Sequence, residues 1–124
     1  MTHPDRQALG RTAEDLAAAH LESSGVRICL RNFRRRTGEL DLVARHHGTL
    51  LIVEVRLRSR EDYGGAAASV DAAKRRRIVR TTQQLLQARR DLACLPVRFD
   101  VMVVTPGDAP WRIEWIRHAF DAHG

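Results

Sequence analysis

A mixed α/β domain, with a central sheet flanked by helices in the order α-β-β-β-α-β-β, is the fold class the sequence predicts. Two amphipathic stretches have helical spacing. Between them, short alternating segments are joined by tight turn signals. The run "LLIV" (50–53) has no polar face and reads as a central strand covered on both sides. The length of 124 residues suits one domain over 1–124 with a single core.

The first helix is expected over residues 6–22, where Leu9, Ala13, Leu16, Ala17, His20 and Leu21 form one apolar stripe. "SSG" (23–25) ends it, with Gly25 as the natural C-cap. Glu14 lies at the edge of the stripe, where a solvated carboxylate is the ordinary reading. "VRICLRNF" (26–33) alternates as a strand, "RRRTG" (34–38) is a basic turn, and "ELDLVAR" and "TLLIVEVRL" follow around "HHG". Residues 59–67 read as a loop hinged at Gly64-Gly65. A second helix is expected from about Val70 to Arg90, with Ile78/Val79 and Leu85/Leu86 on the core side and Lys74, Arg75, Arg76, Arg77 and Arg80 on the other. "VRFDVMVVT" (97–105) is a fourth strand, and "WRIEWI" (111–116) a short fifth.

Lys and Arg total 21 against 15 acids, for a formal charge of +6, and Lys74 is the single lysine. Such a balance suits a polyanion, most simply nucleic acid, though composition alone equally allows a solvated basic face. No apolar run reaches a membrane span. The first residues contain no continuous apolar segment, so no signal peptide and a cytoplasmic protein are expected. Cys29 and Cys94 lack zinc spacing and are expected as buried, reduced thiols. Trp111 and Trp115 read as core or interface anchors, and the scarcity of aromatics argues against base stacking.

The stretch "GELDLVARHHGTLLIVEVR" (38–56) sets three carboxylates among apolar strand residues. With His47-Gly48 as a type I′ hairpin loop, cross-strand partners sum to 95. Asp41 then faces Glu54, Glu39 faces Arg56, and all four share one face. Opposed carboxylates near a core repel and resist desolvation. A shared proton, an arginine partner or a divalent cation would each relieve them, and an all-oxygen donor set suits Mg2+ or Mn2+. Spacing alone leaves a metal site and a structural ion pair equally open.

"GELDLVA" followed by "VEVRLR" resembles the GEIDLIA…VEVKxR signature of the YraN-like family, a bacterial group within the restriction-endonuclease-like, PD-(D/E)XK superfamily. The likeness extends through "GRTAEDLAAAHLESSGVRICLRNFR", "YGGAAASVDAAKRRRI", "RFDVMVV" and "RIEWIRHAFD". It implies a restriction-endonuclease-like fold and a metal-dependent endonuclease acting on DNA, in the manner of Holliday-junction resolvases. A homodimer is implied by the same analogy. Carried over by position, the resemblance makes Asp41 and Glu54 the metal-binding acids, with Glu14 completing the Mg2+ or Mn2+ site and Glu39 supporting it. Lys74 and Arg98-Phe99-Asp100 match further family positions. The family's lysine is Arg56 here. Arg56 supplies charge but no proton acceptor, and Lys74 is the candidate replacement amine. Arg34, Arg35, Arg36, Arg58, Arg60, Arg75, Arg76 and Arg77 are the expected backbone-binding residues. A non-catalytic nucleic-acid-binding module on the same fold is the alternative.

Overall fold

The structure, a computed structural model, describes residues 6–58 and 70–123. The expected loop at 59–67, with Gly64 and Gly65, and Arg60 within it, lie outside the described residues. Helix α1 (Arg6–Ser23) precedes strands β1 (Arg27–Arg35), β2 (Gly38–His46) and β3 (Thr49–Leu57). Helix α2 (Ala72–Ala88), a one-turn helix α3 (Arg90–Ala93), and strands β4 (Val97–Thr105) and β5 (Arg112–Phe120) complete the fold. The five strands lie in the order β1-β2-β3-β4-β5; β3 and β4 are parallel and the other neighbours antiparallel. This is the predicted order, with α3 added, and it is that of a restriction-endonuclease-like domain. None of the described helices is long and apolar enough to cross a membrane.

Each helix covers one face of the sheet. Ala13, Ala17, Ala18 and Leu21 of α1 pack on Leu42, Ala44, Leu51, Val53, Met102 and Val104. Ile78 and Leu85 of α2 pack on Val43, Leu50, Ile52, Val101 and Val103 from the other side. Leu50 to Glu54 of β3 are therefore buried without a break, as a doubly covered parallel strand requires. Gly25 closes α1 at φ +84°, with Val26 N–H donating to Leu21 O at 3.0 Å. That is the expected left-handed cap.

Three boundaries differ from the sequence reading. Helix α2 begins at Ala72 rather than Val70, because Asp71 is extended and its carboxylate accepts the Lys74 N–H at 2.8 Å. It stops at Ala88, where Arg89 leaves helical dihedrals at φ −124°, and α3 restarts one turn. Strand β5 runs to Phe120 instead of ending near Ile116. Its extension is locked by Asp100, which is fully buried. Asp100 accepts two bonds from Arg98 at 2.9 and 2.8 Å, one from Trp115 Nε1 at 2.9 Å and one from His118 N at 3.0 Å. His118 sits at φ +51°, where the β4–β5 register shifts. The RFD element is thus structural, since Asp100 holds a bulge that regular strand pairing would not. Cys29 is half-buried, but Cys94 is exposed, contrary to the expectation of two buried thiols, because it caps the one-turn α3, whose buried side chain is Leu92.

Candidate active site

The β2–β3 hairpin has the predicted register. Leu42 pairs with Val53, Ala44 with Leu51 and His46 with Thr49. His47 and Gly48 have φ of 50° and 76°, both positive as a type I′ turn demands. The ladder then stops one pair short of Asp41 and Glu54. Asp41 uses its side chain instead: Oδ2 accepts the Val55 N–H at 2.8 Å. On the other side, β1 pairs Arg31 with Leu42 and Phe33 with Leu40, leaving Asn32 and Asp41 between them without a partner in the ladder. Asn32 has φ +56°, which asparagine tolerates better than most residues.

The strands turn over at this point. Leu40 joins the α2-side cluster and Leu42 the α1-side cluster, although residues two apart in a strand should share a face. The β2–β3 ladder ends at Leu42–Val53, before it reaches the predicted pairs of Asp41 with Glu54 and Glu39 with Arg56. The charges of Asp41 and Glu39 both act on Glu14 of α1. On its other side Glu39 pairs with Arg34 of β1, its ladder neighbour there, at 3.1 Å.

Asp41 and Glu54 do meet. Burial, then the Asp41 charge and side chain, raise the Glu54 pKa, while a hydrogen bond from the Asp41 backbone N–H lowers it. Glu54 is 2% exposed, and the net effect is a pKa pushed up to about 9. Lys74, in the first turn of α2, acts in the opposite direction on Glu54. The second oxygen, Glu54 Oε2, is buried and has no hydrogen-bond partner among the described residues.

Glu14 approaches from α1. Its pKa is raised, first by burial and then by the Asp41 charge, while an Asn32 hydrogen bond and the Arg31 charge oppose the shift. Arg31 Nη2 lies 3.7 Å from Glu14 and 2.6 Å from Asp15. Among the described residues no three His, Cys, Asp or Glu side chains already form a group able to hold an ion. Asp41 and Glu54 are a pair, with Glu14 electrostatically coupled to it. The donor set is all oxygen and one buried oxygen lacks a partner, which fits a hard divalent cation. Arg56 follows on β3, half-buried and paired with Val103 of β4.

The basic side chains surround this end of the molecule unevenly. Arg34, Arg35 and Arg36 are exposed at the β1–β2 turn, as are Arg76 and Arg77 on α2. The turn rests on α2: Thr37 and Thr81 hydroxyls are 2.8 Å apart, and a Cβ built on Gly38 would sit 3.6 Å from Arg77 Cβ. Arg34, Arg35, Arg36 and Arg77 therefore form one rim, while Arg76 borders Asp121 and His123. Arg35 lies over the Phe33 ring at 4.2 Å. Arg75 is half-buried, and Arg58 is tied to Glu114 at 3.8 Å, so both are less available. Asn32 and Arg31 escaped the sequence reading. An asparagine interrupting an alternating strand was the available signal for the first; nothing distinguished the second among twenty arginines.

A five-stranded mixed sheet with a carboxylate pair at the splay of two central strands defines a restriction-endonuclease-like domain of the PD-(D/E)XK type, with arginine in the lysine position. The chain belongs to the Uncharacterised protein family UPF0102, whose sequence model matches residues 13–104. That span opens beside Glu14, closes in β4 and contains every acid of the site. A UPF0102 protein of Dechloromonas aromatica is 51% identical over 93% of this chain and 90% of its own length. One from Cupriavidus taiwanensis is 50% identical over 96% and 87%, and one from Stutzerimonas stutzeri 44% identical over 95% and 98%.

Proposed function

We propose that the protein is a metal-dependent phosphodiester hydrolase of the endonuclease type, acting on DNA. The observation that carries this reading is the Asp41–Glu54 pair: a half-buried carboxylate acting on a fully buried one, with Glu54 Oε2 left unpartnered among the described residues. Mg2+ or Mn2+ held by Asp41 and Glu54, with Glu14 completing the set, would polarise a phosphate and lower the pKa of a bound water. The chain's own residues divide the remaining work. Val55 N–H fixes the Asp41 carboxylate, so the site is half-organised in advance. Glu54 must give up its proton before both acids can bind a cation. Arg56 and Lys74 bring positive charge to the developing pentacovalent phosphate. Arg56 cannot take a proton, so it serves charge alone. The rim of Arg34, Arg35, Arg36 and Arg77, with Arg76 elsewhere on α2, holds flanking phosphates, contacts that carry no sequence code. Branched or structured DNA is accordingly the favoured substrate.

The test is purified protein with Mn2+ and junction, flap and duplex DNA. Cleavage that disappears in Asp41→Asn is the expected result. Retained binding with no cleavage by the unaltered protein overturns the enzymatic reading. It would leave the second one, a non-catalytic nucleic-acid-binding module, which Arg56 at the lysine position favours. Calorimetry separates the two without activity: a metal site takes up Mn2+ with release of the Glu54 proton and loses that heat in Asp41→Asn, whereas a pure binder shows none.

A further inference from the structure

At the end of the sheet away from Asp41 and Glu54, two arginines are set directly against each other. Arg27 of β1 is the ladder partner of Arg45 in β2. Opposed residues share a face, and like charges there are destabilising. Arg45 is also paired with Leu50, whose side chain belongs to the α2-side cluster, so both arginines lie on that side. The α2–α3 junction borders them, and both arginines remain exposed. Arg89, Asp91 and Leu92, with Ile28 and Cys29, complete a cavity of about 200 Å3. Asp91 is the sole carboxylate lining it among the described residues, and Arg89 already binds both its oxygens, at 3.0 and 2.9 Å. Three arginines therefore line one cavity with one engaged acid.

We propose that this cavity is a phosphate-binding site, separate from the carboxylate site and independent of any hydrolytic activity. A cross-strand arginine pair is a cost to the empty protein, and a tetrahedral phosphate oxyanion offsets it by accepting from both forks at once. Arg89 adds a third donor group and offsets the negative end of α2. The phosphate could come from a nucleic-acid backbone or from a free phosphate compound. The first source has the right reach: Leu50 and Glu54 are four residues apart on β3, or about 13 Å at strand rise.

Cys29 lines the cavity and reports on its occupancy. In a Cys94→Ser background it is the only thiol, and its alkylation by neutral iodoacetamide is followed at fixed ionic strength. The probes are inorganic pyrophosphate and a short DNA duplex, with sodium chloride as the control. At ten times its Kd, pyrophosphate should slow alkylation about tenfold and raise the Tm. Arg27→Gln and Arg45→Gln should abolish both effects, while their own Tm without anion stays level with the parent or rises. Protection by duplex at lower phosphate concentration than pyrophosphate identifies the backbone as the source, and protection by pyrophosphate alone identifies a free phosphate compound. Protection no greater than that given by chloride, or equal protection of both variants, overturns the proposal.

Discussion

Glu54→Gln should make this protein more stable at neutral pH while removing a residue at the centre of its candidate site. The Glu54 pKa stands at about 9 in the folded chain against an ordinary value of 4.5. Between those limits the folded state holds a proton that the unfolded chain has released. Stability is therefore complete below pH 4.5 and is lost as pH rises toward 9. Each pH unit in that window costs about 1.36 kcal/mol. The loss is roughly 3 kcal/mol by pH 7, and about 4 kcal/mol between pH 5 and pH 8. Glutamine has the same shape and stays neutral, so it escapes the loss. The assay is urea denaturation of both proteins from pH 5 to pH 8, without divalent ions, read as the difference in unfolding free energy. Titrations common to both proteins, including those of the six histidines, cancel in the difference. The advantage of the variant should grow with pH across the window. Parallel pH profiles for the two proteins would mean that Glu54 is ionised when folded, and the protonated-Glu54 account would fail.

Asp100→Ala should cost roughly 3–5 kcal/mol in chemical denaturation, since it strands the Arg98 charge and frees the β5 bulge. Gly48→Ala should cost about 1–2 kcal/mol by the same measurement, because φ +76° is a left-handed conformation that a Cβ disfavours. Arg36→Ala and Arg77→Ala should each flatten the plot of log K against log salt for DNA, by about 0.9 for each phosphate the side chain had neutralised. An unchanged slope would move the nucleic-acid surface elsewhere.

Much of the fold is legible in the sequence because its signals are local. The β2–β3 turn needs positive φ twice, and His47-Gly48 supplies it, so the register follows by counting. Strands β3 and β4 agree with their apolar runs to the residue. What escapes is non-local. The length of β5 depends on Asp100, a residue of another strand. The overturning of β2 at Asp41 depends on Asn32 of β1 and on a side chain that takes a backbone donor from β3. Counting from the hairpin assumes an uninterrupted ladder, whereas the β2–β3 pairing ends at Leu42–Val53, short of the acids, and Glu39 has its ion pair with Arg34 on the β1 side. The proximity of Lys74 to Glu54 follows from where α2 starts, which the Asp71 cap fixes.

Three acids on this sheet show what distinguishes a site from a support. Glu39 is the ordinary surface case, paired with the arginine beside it and worth little to stability. Asp100 is the buried structural case: its charge is covered by a bidentate arginine, an indole and a backbone amide, so no acceptor is wasted. Glu54 matches neither. It is as deeply buried, yet the Asp41 charge opposes its own, its one backbone donor is Asp41 N–H, and Oε2 meets no donor among the described residues. An apolar pair of similar volume would be more stable at this place. The backbone around the pair is also irregular, with Asn32 at positive φ and the β2–β3 ladder cut short. Strand pairing, charge compensation and donor satisfaction thus fail together at one point and hold around it. Such a coincidence is expected where the missing partner is a ligand rather than another residue of the chain.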